Sequence, residues 1–280
     1  MDRVLSLALA AGCCGLAWGQ SKLAVNSPAS CDSTKILSVE NFATGQPANS
    51  LGGMAKISWC DFEFPPPTTP VTSILVHGQK AFITLQGAAQ TSPVTSVIFH
   101  GHPSFSPQQI VAQLPNSGVP VDTPVLQLRR GNQILASRQI QVGDFAPGIF
   151  TLNGVTTGPA IVWDSTKNYI LQDHPAHIGE AVTVFCEGLG PTDPFVPSGS
   201  VPKGLAVTTS NPQVFVGGQL ASVIVSKLAT GSVVPSLTGV YEVTFVVPSV
   251  PTAPGVLSSQ TLSITIGGKT SNTATLPVIP

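Results

Sequence analysis

Histidine supplies most of the candidate chemistry in this chain. His100 and His102 flank a single glycine, so on a strand both imidazoles project from one face. His174 and His177 are close enough to meet in one turn. Zinc needs three or four converging ligands and a supporting shell of hydrogen bonds. Neither pair has a third ligand at a recognisable spacing, and both read as loop histidines. The acids Asp164, Asp173, Glu180, Glu187 and Asp193 are too scattered for a calcium loop, which gathers its oxygens within about a dozen residues. They read as incidental loop carboxylates. No metal ligand, cofactor site or catalytic residue is assigned.

Other reaction chemistries also lack a signature. No G-x-S-x-G elbow offers a nucleophile, and no carboxylate pair is marked out for glycoside hydrolysis. Gly217-Gly218 and Gly267-Gly268 follow apolar runs but lead into further strand-like runs, so they read as hairpin turns and not as phosphate loops. Trp59, Trp163, Tyr169 and Tyr241 are suited either to a core or to stacking on sugar rings. There is no C-x-x-C, so a zinc knuckle and a thioredoxin-like redox site are unsupported. Removal of an N-terminal leader would leave Cys31, Cys60 and Cys186, and export would permit a Cys31–Cys60 bridge. Cys186 is then expected to remain reduced, packed as a small apolar residue.

Composition narrows the function classes. Only 9% of the 280 residues are charged and the formal net charge is −1, against roughly 25% charged residues in ordinary soluble proteins. Nucleic-acid binding is excluded on this ground, since it draws on clustered Lys and Arg. The N-terminus "MDRVLSLALAAGCCGLAWGQ" reads as a secretory signal over residues 1–19, with Ala17-Trp18-Gly19 ahead of Gln20. A rival reading takes Ala10-Ala11-Gly12-Cys13 as a lipobox that would leave a lipid on Cys13. No other segment is long and apolar enough to be a membrane helix. The expected location is secreted or cell envelope.

The elements that must carry these residues read as strands. Runs such as "KAFITLQG", "PVLQLRRG", "AVTVFCEG" and "QTLSITIGG" are short, β-branched and bounded by turn residues. With 26 prolines and no 3.6-residue period, the fold class is all-β. The chain also repeats itself. "GMAKISWCDFEFP" from Gly53 and "GEAVTVFCEGLGP" from Gly179 both read G-x-A-x-x-x-aromatic-C-acid-x-x-x-P. "VHGQKA" from Val76 matches "VGGQLA" from Val216, and Pro115 matches Pro248. Gly131 and Gly267 hold the same place in a last hairpin. Ordered blocks of this size predict two tandem immunoglobulin-like β-sandwiches. The expected layout is an N-terminal segment over 20–35, a first sandwich over 36–143 and a second over 144–280. Within the opening motif, Cys60 lies on the opposite face from Ile57 and Trp59, while Cys186 shares a face with Val182 and Val184. Periodicity leaves open which face is buried.

The second half resembles an uncharacterised immunoglobulin-like C-terminal domain family recurrent in secreted acidobacterial proteins. The resemblance rests on "APGIF", "GPAIV", "GEAVTVFCEGLGP", "VFVGGQLASV", "TGVYEVTFVVP" and "TIGGKTSNTATLPV". Through "VHGQKA" and "SPQQIVAQLP" the first half is similar to the unit that often precedes it. Glu242, Thr244 and Cys186 depart from the family's usual Gln, Asn and small residue. The resemblance implies the fold and export, and transfers no site residue. The expected function is an exported non-catalytic structural or adhesive module whose partner is an envelope protein or glycan. The alternative is a carbohydrate-binding envelope protein, and a secreted hydrolase stands third.

Overall fold

The computed structural model describes residue 32 and residues 34–60, 74–76, 79–86, 91–93, 95–100, 108–117, 123–154, 156–230, 239–251, 253 and 255–280. Of these, residues 74–76, 79–86, 91–93, 95–100 and 108 are described through their backbone alone. Every regular element among these residues is a strand. Strands before Gly143 pair only with one another, and strands after Gly148 do likewise.

Each half is a sandwich. In the first, the sheet holding Ser38–Asn41, Met54–Trp59, Gln108–Gln113 and Thr95–His100 faces a sheet built on Val125–Arg130, Gln133–Gln139 and Gln79–Gln86. Ala55, Ile57, Trp59, Ile110 and Ala112 from one sheet meet Leu126, Leu128 and Ala136 from the other. In the second half, Val182, Val184, Cys186, Val243 and Phe245 meet Val214, Val216, Leu262, Ile264 and Leu276. The period-2 alternation expected of half-buried strands selects these residues.

The halves share a path. Gln219–Leu228 pairs through Ala221 with Gln213–Val216 in one sheet and from Ser222 onward with Val240–Val246 in the other, the second pairing carrying a bulge between Val223 and Val225. The first half divides this crossing between Thr91–Pro93, which pairs with Gln79–Gln86, and Thr95–His100, which pairs with Gln108–Gln113. In both halves the last strand also takes a parallel partner: Gln141–Gly143 beside Ala48–Ser50, and Ala274–Ile279 beside Ala176–His177. Gly131 and Gly267, at φ 57° and 54°, turn equivalent hairpins, as their positions in the sequence predict. Positive φ is the region glycine enters without a Cβ penalty.

The opening repeat is one residue out of structural step. The inward residues Ala55, Ile57 and Trp59 occupy the places of Val182, Val184 and Cys186. Cys186 therefore stands where Trp59 stands, and Glu187 where Cys60 stands. The backbone agrees. Gly52 and Gly179 both have positive φ, at 71° and 85°. The carbonyl of Gly53 accepts from Leu114 N at 2.9 Å as that of Glu180 accepts from Val247 N at 2.8 Å. Gly53 is thus not the counterpart of Gly179. The Gly78–Gly218 match is displaced as well. Gln79–Gln86 pairs with Val125–Arg130 and Thr91–Pro93, as Gln213–Val216 pairs with Ser258–Ile266 and Gln219–Leu228. The connection equivalent to Gly217-Gly218 therefore falls between Gln86 and Thr91, outside the described residues. Gly78 itself lies outside the described residues. Hairpins built from glycine and β-branched residues look alike in sequence, so similarity alone matched the wrong pair.

Candidate functional site

Alternation on Ala181–Glu187 sends Val182, Val184 and Cys186 into their own sandwich and sends Phe185 and Glu187 out of it. Outward positions on a sheet normally meet water. Here both are fully buried, because the first half covers them. Phe185 joins a third apolar cluster with Met54 and Val111 of the first half and with Phe150, Ile161 and Val240 of the second. Phe42 packs on Phe150 across the seam at 6.0 Å between ring centroids, and Trp163 meets Phe185 edge-on at 4.6 Å, spacings at which aromatic pairs attract.

Glu187 sits inside this seam at 0% exposure. Its Oε1 accepts from Ala43 N at 2.6 Å and its Oε2 from Met54 N at 2.7 Å. Both donors belong to the first half. Burial pushes the carboxyl up to about 8, against the pull of the backbone N–H groups of Ala43, Met54 and Phe42. Further bonds cross the same boundary. Asn41 Nδ2 donates to Ala146 O at 3.1 Å, Asn116 N to Ser198 Oγ at 2.8 Å, and Gly199 N to Gln113 Oε1 at 2.7 Å. A buried carboxylate is tolerable when its oxygens are hydrogen-bonded. The reading of Glu187 as an incidental loop acid is therefore corrected: it ends a strand and binds the two halves together. Its position in the alternation gave no warning, because sequence does not show that another sandwich lies over that face.

The shifted ionisation has a consequence for stability. An unfolded Glu titrates near 4.3, so between about pH 4.3 and the folded value of about 8 the folded chain holds a proton that the unfolded chain has lost. Stability from this group is complete below that window and falls as pH rises through it, by at most about 1.4 kcal/mol per pH unit. Urea titrations at pH 5, 6.5 and 8 are expected to show this decline in the wild type and its absence in Glu187→Gln. Identical profiles for the two proteins would contradict the assignment.

The remaining candidates disperse. His174 Nε2 meets Asp164 Oδ2 at 2.9 Å, and Asp164 also accepts from Thr166 N at 2.8 Å and Asn168 N at 2.9 Å. Burial alone would raise Asp164, but the bonds from His174, Asn168 and Thr166 hold it well below the carboxylate range. This cluster staples a turn. Glu180 closes a turn by accepting from His177 N at 2.8 Å. Among the described residues no three His, Cys, Asp or Glu side chains converge as metal ligands. His102 and the His100 side chain lie outside them. Trp59 and Tyr241 fill cores, and Trp163 and Tyr169 pack into the seam, so these four form no exposed stacking row.

Cys186 is free and buried, and burial pushes its thiol up. Cys60 is disulfide-bonded. Its partner lies outside the described residues, as does Cys31. Alkylation and peptide mapping of the oxidised protein are expected to join Cys60 to Cys31 and to label Cys186 only after unfolding. A bridge of this span contributes roughly 3–4 kcal/mol on the chain-entropy picture. Label on Cys31 in the folded protein would refute the pairing.

A cleft of about 710 Å³ also opens between the halves, lined by some of residues 41–49 and by residues 141–143, 145–147, 156–157 and 269–273 among others.

No protein-family model matches the chain, and no curated protein matches it. Among solved structures it is similar to tandem Ig repeats of Dlar, at 12% identity and TM-score 0.19, covering 86% of this chain and 94% of that one. It is also similar to domains 5-6 of the S-layer protein SbsC, at 12% identity and TM-score 0.22, covering 89% and 95%. The major pilin subunit BcpA of Bacillus cereus follows at 12% identity and TM-score 0.16, covering 83% and 67%.

Proposed function

We propose that the protein is an exported, non-catalytic structural or adhesive module of the cell surface, in which two sandwiches act as one mechanical unit. The observation that supports this reading is the use made of Glu187. A carboxyl raised for catalysis faces a cleft where a substrate can reach it. Glu187 is sealed, and both of its oxygens are occupied by backbone N–H groups from the other half. Its chemistry joins domains. A surface rich in Ser and Thr with 9% charged residues fits a crowded envelope, where its partner would be an envelope protein or glycan. The test is fractionation of the producing cells with protease shaving of intact ones. A shaved, extracytoplasmic protein whose deletion weakens envelope cohesion or adhesion is the expected result. Retention in the cytosol would refute the reading. The cleft favours a second reading, carbohydrate binding.

A further inference from the structure

The volume of the cleft, about 710 Å³, falls in the range of ligand sites, roughly 300–1,000 Å³. Its walls set amides and hydroxyls in a largely apolar surface, and Lys269 is the one charged side chain among the described residues that line it. Phosphate or carboxylate recognition would gather several cations. Amides carry a donor and an acceptor on one fork, which suits a ligand whose hydroxyls both donate and accept.

The lining divides into groups that build the wall and groups left for a ligand. Asn272 is fully committed, with Oδ1 accepting from Ile149 N at 2.8 Å and Nδ2 donating to Ile149 O at 3.0 Å and Thr156 O at 2.9 Å. Asn41 is likewise held by Thr44 N and Ala146 O. By contrast, the exposed side chains of Gln46 and Gln141 make no hydrogen bond among the described residues. Asn49 belongs to the wall: it is 3% exposed and its Nδ2 donates to Pro47 O at 3.0 Å. The cleft also holds an aromatic wall. Phe145 is wedged by its two edges between Gly190 and Gly267, where a Cβ would come within 2.6 and 2.2 Å of the ring. Two glycines thus leave room for one fixed ring, and a ring of this kind stacks on the C–H face of a pyranose.

We propose that this cleft binds a neutral saccharide, with Phe145 as its stacking wall and Gln46 and Gln141 as its hydrogen-bonding groups. The proposal goes beyond the structural role and does not depend on it.

The experiment is an array of neutral and acidic glycans probed with the purified protein, followed by calorimetry with the strongest neutral binder. Neutral glycans are expected to bind. The pair Gln46→Ala and Gln141→Ala is expected to weaken binding by about tenfold or more, the equivalent of one to three lost hydrogen bonds, with no change in thermal midpoint. Leu220→Ala, an exposed residue outside the cleft, is expected to bind as the wild type does. Absence of neutral binding at millimolar glycan would overturn the proposal. So would binding that the glutamine pair leaves intact, or a preference for acidic glycans that Lys269→Ala abolishes. A chain that binds no glycan yet fractionates to the cell surface loses this inference alone.

Discussion

Glu187→Ala is expected to lower stability by roughly 3–5 kcal/mol. The substitution leaves the N–H groups of Ala43 and Met54 buried without acceptors, at about 1–3 kcal/mol each, and opens a void beside Phe185 and Met54 that adds a packing cost. The cores of the two sandwiches do not contain Glu187, so each sandwich keeps its own. The unfolding curve should then split, with the halves melting separately where the wild type melts in one step. Glu180→Ala is the control at the head of the same strand. That residue is half-buried and caps a local turn, and its loss should cost under about 1 kcal/mol. Urea denaturation followed by tryptophan fluorescence reads both effects. Equal costs for the two variants would mean that Glu187 does not join the halves.

Gly188→Ala should be at least as damaging, for a different reason. Gly188 has φ +74°, and a Cβ there would lie 1.9 Å from Ala146 O and 2.5 Å from its carbonyl carbon. Left-handed backbone costs an L-residue about 1–2 kcal/mol. The collision is with main chain, which cannot swing aside as a side chain can. Relief requires moving the 146–147 peptide. That would pull Ala146 N from Gly188 O, now at 3.0 Å, and Ala146 O from Asn41 Nδ2, at 3.1 Å. A loss of about 4 kcal/mol or more, or failure to accumulate as soluble protein, is expected. Gly268→Ala isolates the backbone contribution, since Gly268 has φ +72° with nothing within 4 Å of the added atom. It should cost only about 1 kcal/mol. Matching losses in the two variants would show that close approach at Gly188 contributes nothing.

Strand content was legible because "AVTVFCEG" and "QTLSITIGG" carry β-branched alternation between glycines, and the hairpins at Gly131 and Gly267 were legible because a tight turn needs positive φ. The register of the opening repeat was not. The eye follows Cys60 and Cys186, whereas packing follows the inward faces, and Trp59 fills in the first core the place that Cys186 fills in the second. A slip of one residue exchanges the faces of a strand, and only the opposing sheet decides between them. Glu187 was hidden for the same reason. An acid at an outward position reads as solvated until another domain covers it. The cleft was illegible because its walls come from some of residues 41–49, from 141–143 and 145–147, and from 269–273, which meet only once both sandwiches are folded and joined.

Amide hydrogen exchange at Ala43 and Met54 tests the joining of the halves most directly. Both N–H groups are held by the Glu187 carboxyl group across the seam, so they can exchange only when the seam opens. In the wild type both should be protected to nearly the level of core amides such as Ile57 and Val184. In Glu187→Ala that protection should fall by orders of magnitude while the two cores keep theirs. If Ala43 and Met54 instead exchange at the rate of exposed loop amides in the wild type, the halves open freely and do not act as one unit.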